Sequence, residues 1–277
     1  MPASTPGPVP ALALDGVTCT FAARSAKGAA ASHYTAVQGA SLAVARGEFV
    51  SVVGPTGCGK TTLLNVAAGL LAPSAGSVEI DGVRLTGINA RAGYLFQADA
   101  LMPWRSALAN VMAGLEFRGV ARTEAAPPAK AWLARVGLAG FEDRFPHQLS
   151  GGMRRRVALA QTLILDPRIL LMDEPFAALD IQTRLLMENE LLDLWSADRK
   201  SVLFITHDLE EAISLSDRVI VLSAGPGTHP IDEFVIDLPR PRDVAEIRMT
   251  PRFVELHRAI WQKMKSEVLK GYAQSRH

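Results

Sequence analysis

A glycine-rich run between an apolar segment and a helix-like segment constrains this chain more than any other feature. It reads Gly54-Pro55-Thr56-Gly57-Cys58-Gly59-Lys60-Thr61 and fits the pattern G-x-x-x-x-G-K-[S/T] at every fixed position. Glycines let the backbone curl so that successive N–H groups point at one anion, and the following helix adds a favourable dipole. Lys60 would supply positive charge to the β- and γ-phosphates, and the Thr61 hydroxyl would ligate Mg²⁺. The run and the adjacent Thr62 therefore predict a site for nucleotide phosphates, in which the Cys58 side chain packs against the protein.

Short apolar runs with strand character alternate with helix-like runs along most of the chain. Strands are predicted at 12–21, 36–45, 49–53, 77–80, 92–96, 169–172, 201–205 and 218–222, and helices at 60–71, 185–195 and 209–215. This alternation indicates an α/β fold with a parallel sheet. Residues 105–165 lose strand character, and we expect them to form a helical lobe. The Pro-rich residues 1–10 are expected to be disordered, and 23–32 reads as a loop insertion.

Two adjacent carboxylates follow one of the predicted buried strands. Asp173 and Glu174 come directly after the apolar residues 169–172. The carboxyl end of such a strand lies at the ligand-binding edge of a parallel sheet, so both side chains are expected beside the phosphate loop. Asp173 is then placed to bind Mg²⁺, directly or through water. Glu174 points to the other side of the strand, where it would polarise the attacking water.

Composition argues against several broad classes of protein. Lys and Arg number 29 against 28 Asp and Glu, a net charge of +1, which does not suit a general nucleic-acid binder. No stretch of ~18 residues is uninterruptedly apolar, so no transmembrane helix is predicted. The N-terminal MPASTPGPVP lacks the basic segment of a secretory signal. Two cysteines form neither a disulfide framework nor a zinc pattern, so a reducing, cytoplasmic compartment is expected.

A second anion-ready segment opens the predicted helix at 154–165. It reads Leu149-Ser150-Gly151-Gly152-Met153 and offers a serine hydroxyl and two glycine N–H groups at the positive end of a helix. The alternative is an ordinary helix cap, which uses the same residue types. The segment resembles the signature motif of the ATP-binding cassette (ABC) transporter ATPases. That family usually has Gln where this chain has Met153, which affects one side-chain contact.

Further residues resemble elements of that family and occur in the family's order. Gln97 follows the strand residues 94–96 and resembles the Q-loop glutamine. Asp180 ends a run, Ala177-Ala178-Leu179-Asp180, that resembles the D-loop, and His207 resembles the switch histidine. The resemblance covers roughly residues 12 to 240. It implies ATP and Mg²⁺ as cofactors, metal contacts from Thr61, Gln97 and Asp173, and catalysis by Glu174, His207 and Gln97.

The same resemblance implies a fold and an assembly. The fold is a P-loop NTPase (RecA-like) core with a mostly parallel sheet, an antiparallel β subdomain and an inserted helical signature subdomain. The ATPase domain would span 11–240, with the helical subdomain at about 98–164 and a helical extension at 241–277. The chain would pair head to tail with a second copy or a paralogous cassette. ATP would lie between one phosphate loop and the partner's signature loop, where the N–H groups of Ser150–Gly152 would meet the γ-phosphate.

The family also places an aromatic ring on the adenine base. Phe21, at the end of the first predicted strand, is the expected residue. Tyr34 is the alternative, because the insertion at 23–32 blurs the alignment. The alternative for either ring is ordinary packing against other side chains of the protein.

Three segments resemble the importer branch for nitrate, sulfonate, taurine and related small solutes. They are 95–104, 173–176 and 236–242. The resemblance implies permease subunits as partners, indirectly a solute-binding protein, no nucleic acid, and a peripheral location on the cytoplasmic face of the inner membrane. The apolar residues Met102-Pro103-Trp104 would receive the coupling helix of the permease, or else be buried in the helical lobe. An exporter ATPase, a soluble cassette of translation or DNA repair, and a catalytically inactive cassette are the alternatives.

Two further patterns lie outside the motifs. A stripe at helical spacing near the C-terminus is expected to dock on the chain's own core; it comprises Phe253, Leu256, His257, Ile260, Trp261 and Met264. The run Arg154-Arg155-Arg156 is too short for a nucleic-acid patch and is interpreted as a charged helix face near the ATP interface.

Overall fold

The computed structural model describes residues 9–23 and 32–274. The predicted disorder at 1–10 and the insertion at 23–32 therefore lie almost wholly outside the described residues. The described chain divides into two compact units, one drawn from Met1–Ala90 and Arg199–His277 and the other from Arg91–Asp198. The domain boundaries expected at 11–240 and 241–277 stay a prediction.

Strands and helices alternate along much of the described chain. The strands are β1 (Leu12–Ala23), β2 (Ser32–Val44), β3 (Phe49–Val53), β4 (Ala75–Ile80), β5 (Val83–Arg84), β6 (Ala92–Leu95), β7 (Ile169–Asp173), β8 (Ser201–Ile205), β9 (Arg218–Leu222) and β10 (Pro230–Val235). The helices are α1 (Lys60–Ala67), α2 (Ala107–Phe117), α3 (Arg122–Arg135), α4 (Gly151–Leu163), α5 (Ile181–Asp198), α6 (Leu209–Leu215), α7 (Val244–Ile247) and α8 (Pro251–Gln274).

Strand pairing gives the first unit two kinds of sheet. An antiparallel sheet has the order β2-β1-β4-β5. In the other sheet, β3 lies between β8 and β9 and pairs with both in parallel, while β10 pairs antiparallel with β9. All five residues of β3 are buried, as expected for a central parallel strand. The second unit contains the parallel pair β6 and β7. The predicted α/β class, with parallel strands and an antiparallel subdomain, is confirmed.

The predicted helical character of residues 105–165 is confirmed by α2, α3 and α4. Their apolar faces share a core that includes Val111, Leu133 and Val157, each fully buried. Within the described residues, none of the helices is both long enough and apolar enough to cross a lipid bilayer.

Helix α8 packs its apolar stripe on the core of the first unit. Phe253, Leu256, Ile260 and Met264 are buried in one cluster with residues of β3, β9 and α6. The prediction that this stripe docks on the chain's own core is confirmed for these four residues. It is wrong for Trp261, which is exposed, since the residue lies outside that buried stripe.

Some element boundaries differ from the predictions. Helix α1 ends at Ala67 rather than at residue 71, because Gly69 turns the backbone with a φ of +68°. Helix α5 begins at Ile181 rather than at 185. Strand β10 was not predicted, since its alternation of half-buried and exposed residues resembles a polar loop.

Candidate nucleotide site

The phosphate loop leaves the buried strand β3 and enters α1 through two left-handed glycines. Gly57 has a φ of +74° and Gly59 a φ of +119°, conformations that favour glycine. Gly59 is also closely packed, because a Cβ there would lie 3.1 Å from Thr228 Cγ2 and 3.2 Å from the Ala36 carbonyl oxygen. The N-cap of α1 is Gly59, which has no side chain with which to cap the helix, so the loop presents backbone groups at the positive end of the helix.

Lys60 lies beneath this loop and is 5% exposed. Its Nζ donates hydrogen bonds to the carbonyl oxygens of Gly54 and Pro55, each at 3.0 Å. These acceptors are neutral, so the ammonium charge stays available for an anion. A buried cation beside a glycine turn at a helix N-terminus fits a phosphate group.

Cys58 is buried within the loop, as its sequence position predicted for a packing residue. Burial raises the pKa of its thiol, while the Lys60 charge and the Thr228 hydroxyl act in the opposite direction. The thiol is therefore protonated at neutral pH. The next residues differ in exposure: Thr61 is exposed and Thr62 is half-buried on the first turn of α1.

His207 and the phosphate loop line one cavity of about 380 Å³. Its other walls come from the last turns of α8. The lining residues are Gly54, Pro55, Thr56, His207, Met264, Val268, Gly271 and Tyr272. The sequence prediction that His207 serves the same site as the phosphate loop thus has a structural counterpart within the first unit.

The turn that carries His207 is braced on both sides. Thr206 Oγ1 donates to Glu211 Oε2 at 2.6 Å and accepts from the Asp208 N–H at 3.0 Å. Asp208 caps α6 by accepting from the N–H groups of Glu210 and Glu211. The histidine is exposed between these fixed neighbours. Its backbone is therefore held in place while its ring faces solvent.

The two candidate adenine platforms are neighbours. Phe21 of β1 and Tyr34 of β2 are directly opposite each other in the antiparallel pairing, so their rings share one face of the sheet. Both are partly exposed. The Tyr34 hydroxyl lies within 4 Å of a Cβ built on Gly225, a residue that packs against Cys58. The choice of Phe21 stays a prediction.

In the second unit, β7 ends in the two predicted carboxylates. Asp173 is buried and Glu174 is half-buried. Burial, and then the negative charge of Asp173, raise the pKa of Tyr94 on the neighbouring strand β6. Glu174 has a φ of +43°, which is unusual for a residue with a side chain. Gln97 Nε2 lies 3.5 Å from Glu174 Oε2, so the structure brings these two predicted catalytic residues together.

The signature segment forms a capped helix N-terminus. Ser150 is the N-cap of α4, and its Oγ accepts from the Met153 N–H at 3.2 Å. The Gly151 and Gly152 N–H groups belong to the same first turn. A Cβ on Gly152 would lie 2.7 Å from Thr183 Cγ2, so a glycine is needed where α4 approaches α5. The arrangement suits an anion from outside the unit.

Asp180 also has a local structural role. Its Oδ1 accepts from the Thr183 N–H at 3.0 Å, at the start of α5. That hydrogen bond is the main cause of the lowered pKa of its carboxyl group. The exposed Asp180 therefore caps a helix, and its predicted contact with nucleotide stays a prediction.

The interpretation of Arg154–Arg156 as a charged helix face near the ATP interface is wrong for its middle residue, which is buried. Arg155 is 2% exposed, and its Nη1 donates to the Phe96 carbonyl oxygen at 2.7 Å, next to Gln97. Burial lowers the pKa of Arg155 to about 10, although Asp99 opposes the shift. Helical spacing could have shown this, since residues three and four positions on, Ala158 and Leu159, are also buried.

Another missed residue fixes the loop before α2. Asn110 is fully buried, and its side chain bonds the backbone of Met102, Arg105 and Ser106. Trp104 lies within this fixed loop and is 75% exposed. The alternative that Trp104 is buried in the helical lobe is therefore wrong.

Comparisons with known proteins agree with this geometry. A family model described as ABC transporter matches residues 37–177. The uncharacterized ABC transporter ATP-binding protein MJ0412 of Methanocaldococcus jannaschii is 51% identical over 237 residues, covering 85% of this chain and 86% of that protein. The taurine import ATP-binding protein TauB of Yersinia pestis is 50% identical over 192 residues, covering 69% of this chain and 75% of that protein.

A solved structure shares the fold. The dimeric structure of the ATP-binding cassette MJ0796 in a post-hydrolysis state, bound to ADP and Pi, matches with a TM-score of 0.70 and 31% sequence identity. The match covers 82% of this chain and 100% of that chain. The order of the motifs, their local geometry and these relatives all agree. The chain therefore belongs to the ABC transporter family and is an ATP-hydrolysing cassette of that family.

Proposed function

We propose that this cassette powers the import of a small solute, an anion such as nitrate, a sulfonate or taurine. The observation that carries the proposal is the cavity shared by the phosphate loop and His207, in a chain 50% identical to a taurine import ATP-binding protein over 192 residues. The alternatives are an ABC exporter ATPase and a soluble ABC ATPase without a transport role.

ATP would be held mainly by backbone groups and one cation. Lys60 carries the charge for the β- and γ-phosphates, and Phe21 stacks on the base. The remaining phosphate contacts come from Gly54, Pro55, Thr56, Gly57, Cys58, Gly59, Thr61 and Thr62. Mg²⁺ would be held by Thr61, Gln97 and Asp173. The hydroxyl, amide and carboxylate oxygens of these side chains suit a hard cation. The bound metal would neutralise charge on the phosphates.

Hydrolysis would depend on three polar side chains. The Glu174 carboxylate accepts a hydrogen bond from the attacking water and so orients and polarises it. Gln97, 3.5 Å from Glu174, helps to fix the position of that carboxylate. His207 faces the terminal phosphate from the phosphate-loop side and stabilises the charge that develops there.

A second cassette would complete the site. We propose that Ser150, Gly151, Gly152 and Asp180 meet ATP bound to the partner, which is a second copy of this chain or a paralogue. Two findings support this: the capped glycine N-terminus of α4 suits an anion from outside the unit, and the related cassette MJ0796 has been solved as a dimer.

The permease would dock on the second unit. Trp104 projects from a loop that Asn110 holds rigid, and Phe117 is 79% exposed on the rim of a cavity of about 240 Å³. We propose that a helix of the permease's cytoplasmic side docks on the loop that carries Trp104, which places the cassette peripherally at the cytoplasmic face of the inner membrane. A solute-binding protein would act indirectly, through the permease.

Reconstitution of the cassette with its permease in vesicles tests the proposal. ATP turnover is measured with taurine, nitrate and alkanesulfonates, each presented with the matching solute-binding protein. Import predicts stimulation by one of these solutes from the side opposite the cassette. Stimulation only by a solute on the cassette's own side would indicate an exporter, and no response to any permease would indicate a soluble ATPase.

A further inference from the structure

The loop between β9 and β10, residues 223–229, supports the phosphate loop from behind. A Cβ on Gly225 would lie 3.4 Å from both the Cα and the carbonyl oxygen of Cys58, so the two backbones approach each other closely. Thr228 Cγ2 lies 3.1 Å from a Cβ built on Gly59. The position of this loop therefore sets the position of the last turn of the phosphate loop.

The loop is braced internally and against β2. The Ser223 N–H donates to the His229 carbonyl oxygen at 2.9 Å, and Thr228 Oγ1 donates to the Ser223 carbonyl oxygen at 2.7 Å. The N–H groups of Gly227 and Thr228 donate to the carbonyl oxygens of Thr35 and Ala36 at 2.7 and 3.0 Å. These bonds hold Ser223 and residues 227–229, and they leave the Ala224 N–H to another partner.

That partner is Glu267 of α8. The residue is 5% exposed, and its Oε2 accepts from the Ala224 N–H at 2.8 Å while Oε1 accepts from Lys270 Nζ at 2.6 Å. Burial opposes ionisation, but the hydrogen bonds from Lys270 and Ala224 hold the pKa of Glu267 below its ordinary value. A charged acceptor makes a stronger hydrogen bond than a neutral one.

The same helix reaches the start of the phosphate loop. A Cβ on Gly271 would lie 3.8 Å from Pro55 Cβ, and Gly271 lines the cavity that Gly54, Thr56 and His207 share. Helix α8 thus approaches the phosphate loop directly at Pro55 and, through Glu267 and the 223–229 loop, at Cys58 and Gly59.

We propose that Glu267 is a positioning residue for nucleotide binding. Its hydrogen bond to Ala224 holds the 223–229 loop against Cys58 and Gly59, and so preorganises the phosphate loop for the anion. The inference rests on the proposed nucleotide role of the phosphate loop. Loss of the hydrogen bond raises the Kd for MgATP, because binding must then also order the loop.

Three substitutions of Glu267 separate reach, charge and hydrogen bonding. Glu267→Ala removes the acceptor, Glu267→Asp keeps the charge but shortens the side chain, and Glu267→Gln keeps an acceptor oxygen at the same reach. Glu255→Ala is the control, since Glu255 lies on the same helix but is exposed and pairs with Arg252. The Kd of a fluorescent ATP analogue with Mg²⁺ is measured well below the lowest melting temperature of the set.

We expect the Ala and Asp variants to bind about three- to tenfold more weakly, the range for one lost hydrogen bond. The Gln variant should fall between wild type and the Ala variant, because its neutral acceptor makes a weaker hydrogen bond. The Glu255→Ala control should stay within about twofold of wild type. Unchanged affinity in the Ala and Asp variants overturns the proposal, as does a Gln variant as weak as the Ala variant. If the wild-type chain itself fails to bind the analogue, both the nucleotide site and the positioning role are wrong. If wild type binds it and the Ala and Asp variants bind with the same Kd, the positioning role alone is wrong.

Discussion

At the scale of single residues, Glu174 has the most unusual conformation in the candidate site. A left-handed backbone costs a residue with a side chain roughly 1–2 kcal/mol, and such strain persists where surrounding structure enforces it. Glu174 adopts it directly after the buried strand β7, and its carboxylate lies 3.5 Å from the Gln97 amide. The bend sets the direction of the carboxylate, as expected for a group that must orient a water molecule.

Glu174→Gln should lower ATP turnover by about 10²–10⁴-fold, the usual contribution of a positioned general base. The amide keeps size and hydrogen bonding but lacks the charge that polarises water. MgATP affinity should stay near wild type, because the phosphate loop is unaltered. Turnover is measured by phosphate release, with Glu124→Gln, an exposed glutamate at the start of α3, as the control. Near-wild-type turnover in Glu174→Gln would remove this residue from catalysis.

Residue-level motifs were largely predictable because their chemistry is local. Eight consecutive residues define the phosphate loop, and the adjacent carboxylates follow one apolar strand. Helical spacing indicates the burial of Arg155 but not its partner, because the Phe96 carbonyl is 59 positions away in sequence. Glu267 was missed for the same reason, since Ala224 is 43 positions away.

At the scale of elements, helix and strand types were predicted better than their ends. Helix α5 begins four residues early because Asp180, interpreted only as a D-loop residue, also caps it. Helix α3 contains Pro127 and Pro128, which local rules would place at a helix start. Such ends depend on caps and packing partners that hydrophobic periodicity does not encode.

The loop that carries Trp104 yields an element-scale prediction. Trp104→Ala should weaken assembly with the permease at least tenfold, because buried aromatic anchors dominate many interfaces. ATPase activity of the isolated cassette should not change, since Trp104 is exposed and Asn110 still holds the loop. Recovery of the complex by affinity purification checks this result.

Trp261→Ala is the matched control, because Trp261 is also exposed but lies on α8, away from the loop before α2 in the sequence. Equal permease recovery and equal transport for wild type and Trp104→Ala would exclude this loop from the permease interface. An equal loss with Trp261→Ala would show a general effect of losing an exposed tryptophan.

At the scale of the whole molecule, the fold class followed from the alternation of strands and helices, but the assembly did not. The chain carries a phosphate loop and a signature segment, and nothing in one sequence states that they serve different nucleotides. The head-to-tail arrangement came from the family resemblance. Its physical support here is the exposed, capped N-terminus of α4.

The most direct test of the whole account is the mass of Glu174→Gln in solution with and without MgATP, measured by size-exclusion chromatography with light scattering. ATP that binds but is not hydrolysed should trap the closed pair, so we predict a dimer with MgATP and a monomer without it. The double variant Lys60→Ala/Glu174→Gln should stay monomeric in both conditions, since the cation that holds the phosphates is lost. A Glu174→Gln chain that binds MgATP and stays monomeric, even with the permease present, would contradict the shared site and the role proposed for Ser150 and Gly152.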